Sequence, residues 1–289
     1  MSEPTKDIIL VTCERWPDLS TGDSVLADEL RTRGHRVRGL PWNVAPLEAF
    51  TSADLIVLRS NWDFHNHLPA FATWLDDIEA SGVPMRNSAG LVRGFLDKTY
   101  LEPLAAAGFR TPQTLIIDDL DVDVVTDWMN DHQFDRVVTK PVWGASGHGV
   151  SIVDVAGLAE LAASRSRDAD RRALLVQEFI PSVSNGEIAL VYFKGEYSHA
   201  LLRRPAAGDF RVNSQYGGTM TALDHVDPAL IELGHKVDES LAEVATYVRI
   251  DVVSDGVDHV VMEVEVNEPA LGLHLSPGSA GRFADALLS

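Results

Sequence analysis

Met262-Glu263-Val264-Glu265-Val266-Asn267-Glu268-Pro269 is a run in which apolar and oxygen-bearing side chains alternate. Period-two alternation is the mark of a strand, because successive side chains point to opposite faces. Glu263, Glu265 and Asn267 then share one face, and Met262, Val264 and Val266 the other. Val248-Arg249-Ile250-Asp251 comes shortly before, with Ser254-Asp255-Gly256 as the join. The two runs read as neighbouring strands, and Asp251 is expected to meet Glu265. Asp251, Glu265 and Asn267 form an oxygen-only set, which suits a hard divalent cation such as Mg²⁺ and not Zn²⁺. Glu268, just beyond the strand, is a spare ligand. The competing reading is a solvated acidic face.

A second stretch supplies the opposite charge. Val138-Thr139-Lys140-Pro141-Val142-Trp143-Gly144-Ala145-Ser146-Gly147-His148-Gly149-Val150 leads a β run into a glycine-bearing loop. Lys140 is held before Pro141 on a stiff segment, and an ammonium is a point charge suited to a phosphate oxygen. Gly144, Gly147 and Gly149, with Ser146 between them, let the backbone approach a polyanion. The spacing is neither a Walker loop nor the dinucleotide fingerprint. A plain hairpin turn is the competing reading. A cation for phosphate plus oxygen ligands for Mg²⁺ is nevertheless the chemistry a nucleoside triphosphate needs.

The 289 residues suffice for two or three small units, and a 45% hydrophobic fraction is that of an ordinary globular chain. A formal net charge of −19 argues against a nucleic-acid partner. No apolar run has the length of a membrane span, so no membrane partner is expected. Met1 to Asp7 lacks the basic start and apolar core of a signal peptide, which predicts a cytoplasmic location. Cys13, the one cysteine, is expected to be a packed thiol.

The chain order predicts α/β followed by α+β structure. Ile8–Thr12, Arg36–Leu40 and Asp54–Leu58 read as strands, with helices at Asp23–Arg33 and Leu68–Ser81. That is a doubly wound α/β unit, here taken as residues 1–92. Ligands of such sheets sit beyond the carboxyl ends of the strands, where Arg59, Asn61 and Asp63 lie. Residues 93–178 read as a small α+β unit. It begins with a helix from Gly94 to Ala107 that carries Lys98, and continues through Leu115–Ile117, Val122–Asn130, Arg136–Lys140, Val150–Val153 and Leu158–Ala163. Arg165 to Arg172 reads as a charged bend. Residues 179–289 hold a hairpin around Lys194-Gly195-Glu196, a helix from Pro228 to Ala245, the two acidic strands and a closing helix from Ser279.

Other candidates gather between the two opening stretches. Gln177-Glu178-Phe179-Ile180 runs from a strand into Pro181, so free backbone groups and apolar side chains are offered to a flat base. Glu187 is placed to accept ribose hydroxyls, although a surface carboxylate is the simpler reading. Arg203, Arg204 and Arg211 crowd the Pro205–Gly208 loop, with Asn213 close by. They either bind acidic neighbours or stabilise a transferring phosphoryl group. His65, His67, His148, His199 and His274 have no metal-ligand spacing, and no nucleophile elbow is present. Ser276-Pro277-Gly278-Ser279 opens the last helix, whose first N–H groups suit a substrate carboxylate.

In this order the segments resemble the ATP-grasp superfamily, most closely its glutathione-synthetase-like branch. The resemblance spans nearly the whole chain. It runs from Arg59 through Asp97-Lys98-Thr99-Tyr100, Thr139-Lys140-Pro141, Gln177–Ile180, Asn185-Gly186-Glu187, Arg203–Gly208 and Arg211-Val212-Asn213 to Asp251 and Glu265-Val266-Asn267. It implies an N-terminal substrate domain, a lid subdomain and a C-terminal metal-bearing subdomain. It also implies that Lys98 and Lys140 hold ATP phosphates under the Trp143–Gly149 loop, that Glu178 and Ile180 read adenine, and that Glu187 takes the ribose. Asp251, Glu265 and Asn267 would hold two Mg²⁺ ions, with Mn²⁺ as a substitute, while Arg211 and Arg203 face the transferring phosphoryl group. The implied reaction is ligation of a carboxylate to an amine on a small amino acid or peptide, in a homodimer. Ala189 stands where glutathione synthetases have a basic residue, and Arg59-Ser60-Asn61-Trp62-Asp63 is similar to the cycloserine-synthetase type, which closes a ring on a ureido amino acid. A nucleotide-binding regulator without catalysis is the reading from a different class.

Overall fold

The computed structural model describes residues 4–145, 147–165, 173–254 and 258–289. Its first sheet takes strands β1 (Asp7–Thr12), β2 (Arg36–Pro41), β3 (Leu55–Leu58) and β4 (Met85–Arg86), all parallel, in the order β2-β1-β3-β4. Parallel neighbours require crossovers, here helices α1 (Thr21–Thr32), α2 (Leu47–Thr51) and α3 (Leu68–Ser81), with α4 (Ala89–Arg93) following β4. Ser20 caps α1 by accepting from the Asp23 N–H at 3.1 Å, and Gly82 ends α3 in the left-handed conformation at φ 73°. Both faces of β1 are buried, which is why Ile8–Val11 reads as an unbroken apolar run.

The second sheet is a small four-stranded one, order β5-β8-β6-β7. After helix α5 (Leu101–Ala106) come β5 (Thr114–Ile117), α6 (Val122–Asp131), β6 (Val137–Pro141), β7 (Ser151–Val153), α7 (Val155–Arg165) and β8 (Leu174–Glu178). Val125, Met129, Val137, Leu158 and Val176 form its own core. Ser146 and most of the charged bend expected at Arg165 to Arg172 lie outside the described residues.

The third sheet is larger, with order β11-β10-β9-β12-β13: β9 (Glu187–Phe193), β10 (Glu196–Arg204), β11 (Thr219–Leu223), β12 (Val248–Ser254) and β13 (His259–Glu265). The β9–β10 turn puts Lys194 at φ 50° and Gly195 at φ 84°, the two positive values that a two-residue hairpin prefers. Helix α8 (Pro228–Glu239) packs on this sheet, and α9 (Ser279–Leu288) on both the sheet and α1.

Two expected helices are shorter. The Gly94–Ala107 segment is broken, because Gly94 caps α4 and the Asp97 side chain accepts from the Thr99 N–H at 2.9 Å, starting a separate 3₁₀ turn at Lys98–Tyr100. Lys98 therefore sits on a capped turn and not inside a helix. The helix expected to reach Ala245 stops at Glu239, where the Ser240 hydroxyl donates to the Val237 carbonyl at 2.7 Å.

Candidate active site

Strands β12 and β13 form the floor. Their register pairs Arg249 with Glu265 and Asp251 with Glu263. Glu263 is directly opposite Asp251 and Glu265 lies on the diagonal, and Asp251 and Glu265 still meet as expected. One oxygen from each of Asp251, Glu263 and Glu265 lies within 4.8 Å of the others, a donor set that fits a hard divalent cation. Glu263 is the ligand candidate the sequence reading left out, although it sits one alternation from Glu265. Asn267 follows the strand, is buried, and accepts from Asn61 Nδ2 at 3.1 Å.

Three basic side chains balance this floor. Arg249, also missed in the sequence, donates to Asp251 at 2.8 and 2.9 Å and to Glu265 at 2.5 Å. Arg203 bridges Glu187 at 2.7 Å and Asp251 at 2.6 Å. Lys98 pairs with Glu263. Burial raises the Glu187 carboxyl to about 8, helped by the charge of Asp251. Glu265 rises to about 7 by burial. Burial also works to raise Glu263, but Lys98 and Lys140 outweigh it and bring that group to about 2. Glu268 is lifted well above the carboxylate range by burial and by Glu265.

The second sheet faces this floor. Alternation along β6 turns Val138 and Lys140 to the cavity and buries Val137 and Thr139. Burial, and then the charge of Lys98, lowers Lys140 to about 8. The following loop is left-handed at Gly147, where a β-carbon would meet Asn213 Oδ1 at 2.7 Å. The loop needs glycine there to lie against the arginine loop. In that loop Arg211 pairs with Asp209 at 2.7 Å and stacks on the Tyr216 ring at 3.5 Å.

Lys98, Lys140, Gly144, Gly147, the hinge Gln177–Ile180, Glu187, Arg203, Arg211, Asn213, Glu265 and Asn267 all line one cavity of about 570 Å³. At the hinge, Gln177 donates to Thr114 Oγ1 at 2.8 Å, and Arg110 holds both Glu178 oxygens at 2.7 Å. The Glu178 side chain is therefore committed within the protein. Asp251 lies fully buried beneath the floor.

The expected substrate residues lie elsewhere. Arg59 is buried and donates to Asp23 and to the Pro269 carbonyl, both at 2.8 Å. Asp63 accepts from Trp42 Nε1 and Asn43 Nδ2 at 2.9 Å each. Ser279 donates to the Ser276 carbonyl at 2.7 Å, and Gly278 forms the left-handed cap of α9. Arg59 and Asn61 tie the end of β3 to the Asn267–Pro269 segment, Asp63 is held within the first unit, Ser276, Gly278 and Ser279 shape the start of α9, and none of the six lines the cavity. The first sheet instead lends Trp16, Trp62 and Phe64 to the wall.

Two sheets closing on a cavity, with Lys140 on one and paired carboxylates on the other, define an ATP-grasp ligase. Residues 102–274, more than half of the chain, match the prokaryotic glutathione synthetase ATP-grasp domain, and the chain belongs to that family. Residues 8–87 match the N-terminal domain of D-cycloserine synthetase DcsG. The cycloserine biosynthesis protein DcsG of Streptomyces lavendulae is 27% identical over 295 residues, covering 91% of each chain. A glutathione synthetase from Prochlorococcus marinus (strain MIT 9313) is 33% identical over 142 residues, and that match spans 47% of this chain and 43% of the relative. The D-cycloserine synthetase DcsG crystal structure superposes with a TM-score of 0.85 at 23% identity, covering 97% of this chain and 98% of that one. The D-alanine–D-alanine ligase of Bacillus anthracis does so at 0.69 and 18%, covering 98% and 96%.

Proposed function

We propose that this chain is an ATP- and Mg²⁺-dependent carboxylate–amine ligase acting on a small amino acid or peptide through an acyl phosphate. The observation that carries the reading is a single cavity with Lys140 on the second sheet facing the Glu263 and Glu265 oxygens, Lys98 paired with Glu263, and Asp251 buried directly beneath. A carboxylate is a poor electrophile. Its oxygen attacks the γ-phosphorus, the bond to the ADP oxygen breaks, and ADP leaves. An amine then attacks the acyl carbon, the C–O bond to phosphate breaks, and phosphate leaves with loss of a proton from nitrogen.

This chain's residues act on charge and position in those steps. Lys140 and Lys98 offset the phosphate charge, and Arg203 and Arg211 face the phosphoryl group as it moves. Asp251, Glu263 and Glu265, with Asn267 beside them, would hold the metal, which supplies charge neutralisation and alignment of the phosphate oxygens. The Gly144–Gly149 loop keeps water from the acyl phosphate. The Gln177–Ile180 hinge gives the base an apolar slot.

Matches to DcsG along both halves of the chain favour a second reading, intramolecular ring closure on a ureido amino acid. A phosphate-release screen over amino acids, ureido amino acids and dipeptides, followed by mass analysis of the product, tests both. A product at the substrate mass less water or ammonia marks cyclisation, and one that combines two substrates marks intermolecular ligation. Lys140→Ala and Glu265→Ala are expected to abolish product-linked ADP release. Turnover at the wild-type rate in either variant overturns the site assignment, and ATP binding with no phosphate release on any substrate favours a regulator.

A further inference from the structure

Strand β13 gives the cavity a direction. Met262 packs with Ile180 and Val183 at the hinge end. Glu263 and Glu265 follow along the strand, and past them the Glu268 carbonyl accepts from Trp62 Nε1 at 3.1 Å. From Glu265 to Glu268 the chain can span at most about 11 Å. The apolar slot at the hinge and the wall at Trp62 therefore lie on opposite sides of the acidic floor. With a base at the hinge and phosphates over Glu263 and Glu265, the acid that takes the γ-phosphoryl group stands between that floor and Trp62.

That wall is aromatic. Among the described residues, the first unit lends the cavity Trp16, Trp62 and Phe64, and no lysine or arginine. Arg59 is spent on Asp23 and the Pro269 carbonyl. The indoles are held in place. The Trp62 carbonyl accepts from His65 Nδ1 at 2.9 Å, and the Trp16 N–H donates to the Cys13 carbonyl at 3.0 Å. Their ring centroids are 5.5 Å apart and their planes stand at 77°. A third ring lying flat on one indole is edge-on to the other, and both are favoured aromatic contacts. Ala145 of the glycine loop packs on the same core as Phe64, so the loop roofs this end of the cavity. An anionic group enclosed there would lose its water and gain no cation from the first unit.

We propose that the corner between Trp16 and Trp62 seats the side group of the activated acid, and that this group is an uncharged aromatic ring. The inference rests on the ligase reading and adds the side group that the reading leaves open. Trp16 and Trp62 are then specificity-determining residues. They touch a part of the substrate that neither forms nor breaks a bond.

The test is equilibrium binding to protein saturated with Mg²⁺ and a non-hydrolysable ATP analogue. The probes are the D and L forms of phenylalanine, cyclohexylalanine and glutamate. Wild type is expected to bind one hand of phenylalanine about tenfold or more tighter than glutamate of that hand. It is expected to bind it about threefold or more tighter than the saturated ring of cyclohexylalanine. Trp16→Ala and Trp62→Ala are each expected to bring phenylalanine and cyclohexylalanine within about twofold of each other. Trp62→Phe keeps a ring but gives up the bond to the Glu268 carbonyl, and should retain most of the preference. Loss of all Mg²⁺-nucleotide binding by wild type would remove the ligase reading together with this inference. Nucleotide binding with no preference for phenylalanine removes the inference alone, as does a preference that survives both alanine substitutions. A weaker grip on the nucleotide in those variants, with the amino-acid ratios unchanged, would make the indoles a seat for the glycine loop and overturn it too. A loss in Trp62→Phe as complete as in Trp62→Ala would assign the indole to bracing the Glu268 segment, with the same consequence.

Discussion

Lys140 has an acid–base signature of its own. Burial and the charge of Lys98 bring its ammonium down to about 8. A bound triphosphate favours the charged form and raises that value, so binding takes up a proton at pH values above about 8. Nucleotide affinity is therefore expected to be flat below about pH 8, then to fall by up to about tenfold per pH unit. Titrating a non-hydrolysable ATP analogue with Mg²⁺ across the alkaline range checks this. Lys140→Arg keeps its charge and should lose the alkaline fall. Asn61 poses a second residue-scale case. Its Nδ2 donates to Asn267 Oδ1, and this leaves Asn61 Oδ1 and Asn267 Nδ2 without partners. The opposite sense closes the same contact and swaps the amide oxygen and nitrogen of Asn267. We expect Asn61→Leu to weaken Mn²⁺ binding about tenfold or more by releasing the Asn267 amide, and Asn61→Asp, which can only accept, to preserve it. Direct Mn²⁺ titration separates the two. Glu265 and Asn267 were legible from period two alone. The Asp251–Glu263 pairing was not, because register is set by hydrogen bonding between strands, and β12–β13 shifts register between Asp251 and Val252. Arg59 was misjudged for a related reason. Its place at the end of β3 is readable, but the direction of its guanidinium depends on Asp23, 36 residues earlier.

Helix α8 shows how an element carries costs that its sequence pattern hides. Gly234 looks like a weak spot in a helix, and alanine there would gain about 1 kcal/mol of propensity. A β-carbon at that position would stand 2.5 Å from the Tyr192 hydroxyl and 2.9 Å from Leu190 Cδ1. The same hydroxyl donates to the Ile231 carbonyl at 2.6 Å. Gly234→Ala is accordingly expected to destabilise the protein by about 1–3 kcal/mol, measured by denaturant unfolding. Asp238 on the same helix is 5% exposed, its Oδ1 has no partner, and burial raises its carboxyl to about 6 from 3.8. Here the folded value is above the unfolded one, so the native state binds more protons between about pH 4 and 6. The stability this group contributes is present below about pH 4 and is lost as pH rises to about 6. Asp238→Asn should remove that loss and stabilise the fold at neutral pH by on the order of 1–2 kcal/mol. The shortfall of α8 against its expected end at Ala245 is of the same local kind: Ser240 bonds back to Val237, a side-chain choice that hydrophobic periodicity does not register.

At the scale of the molecule, the first and third sheets are joined through the C-terminal helix. Phe283 is fully buried and stacks on Phe193 of β9 at 4.7 Å and 3°. It meets Tyr247 edge-on at 5.3 Å, with the Arg59 guanidinium 5.6 Å from its ring. On the other side of α9, Arg33 of the loop after α1 donates to Asp285 at 2.6 Å and to the Gly281 carbonyl at 3.0 Å. One core cluster thus holds Ile8, Leu10 and Leu26 from the first layer together with Val191, Phe193 and Leu287. The succession of sheets was legible because each strand run and its breaks are local. The role of the last helix was not, because its apolar face fits either neighbour and only the assembled chain selects both. This arrangement makes the first sheet depend on the last ten residues. Phe283→Ala is expected to cost about 3–5 kcal/mol. The loss should appear equally in the fluorescence of a protein that keeps only Trp42 and Trp74 of its six tryptophans, both buried beside the first sheet, and in far-UV circular dichroism, which reports all three sheets. Coincident transitions shifted together by the substitution mark one cooperative unit. A fluorescence transition that stays in place while the dichroism transition moves would mean that the first sheet folds without α9.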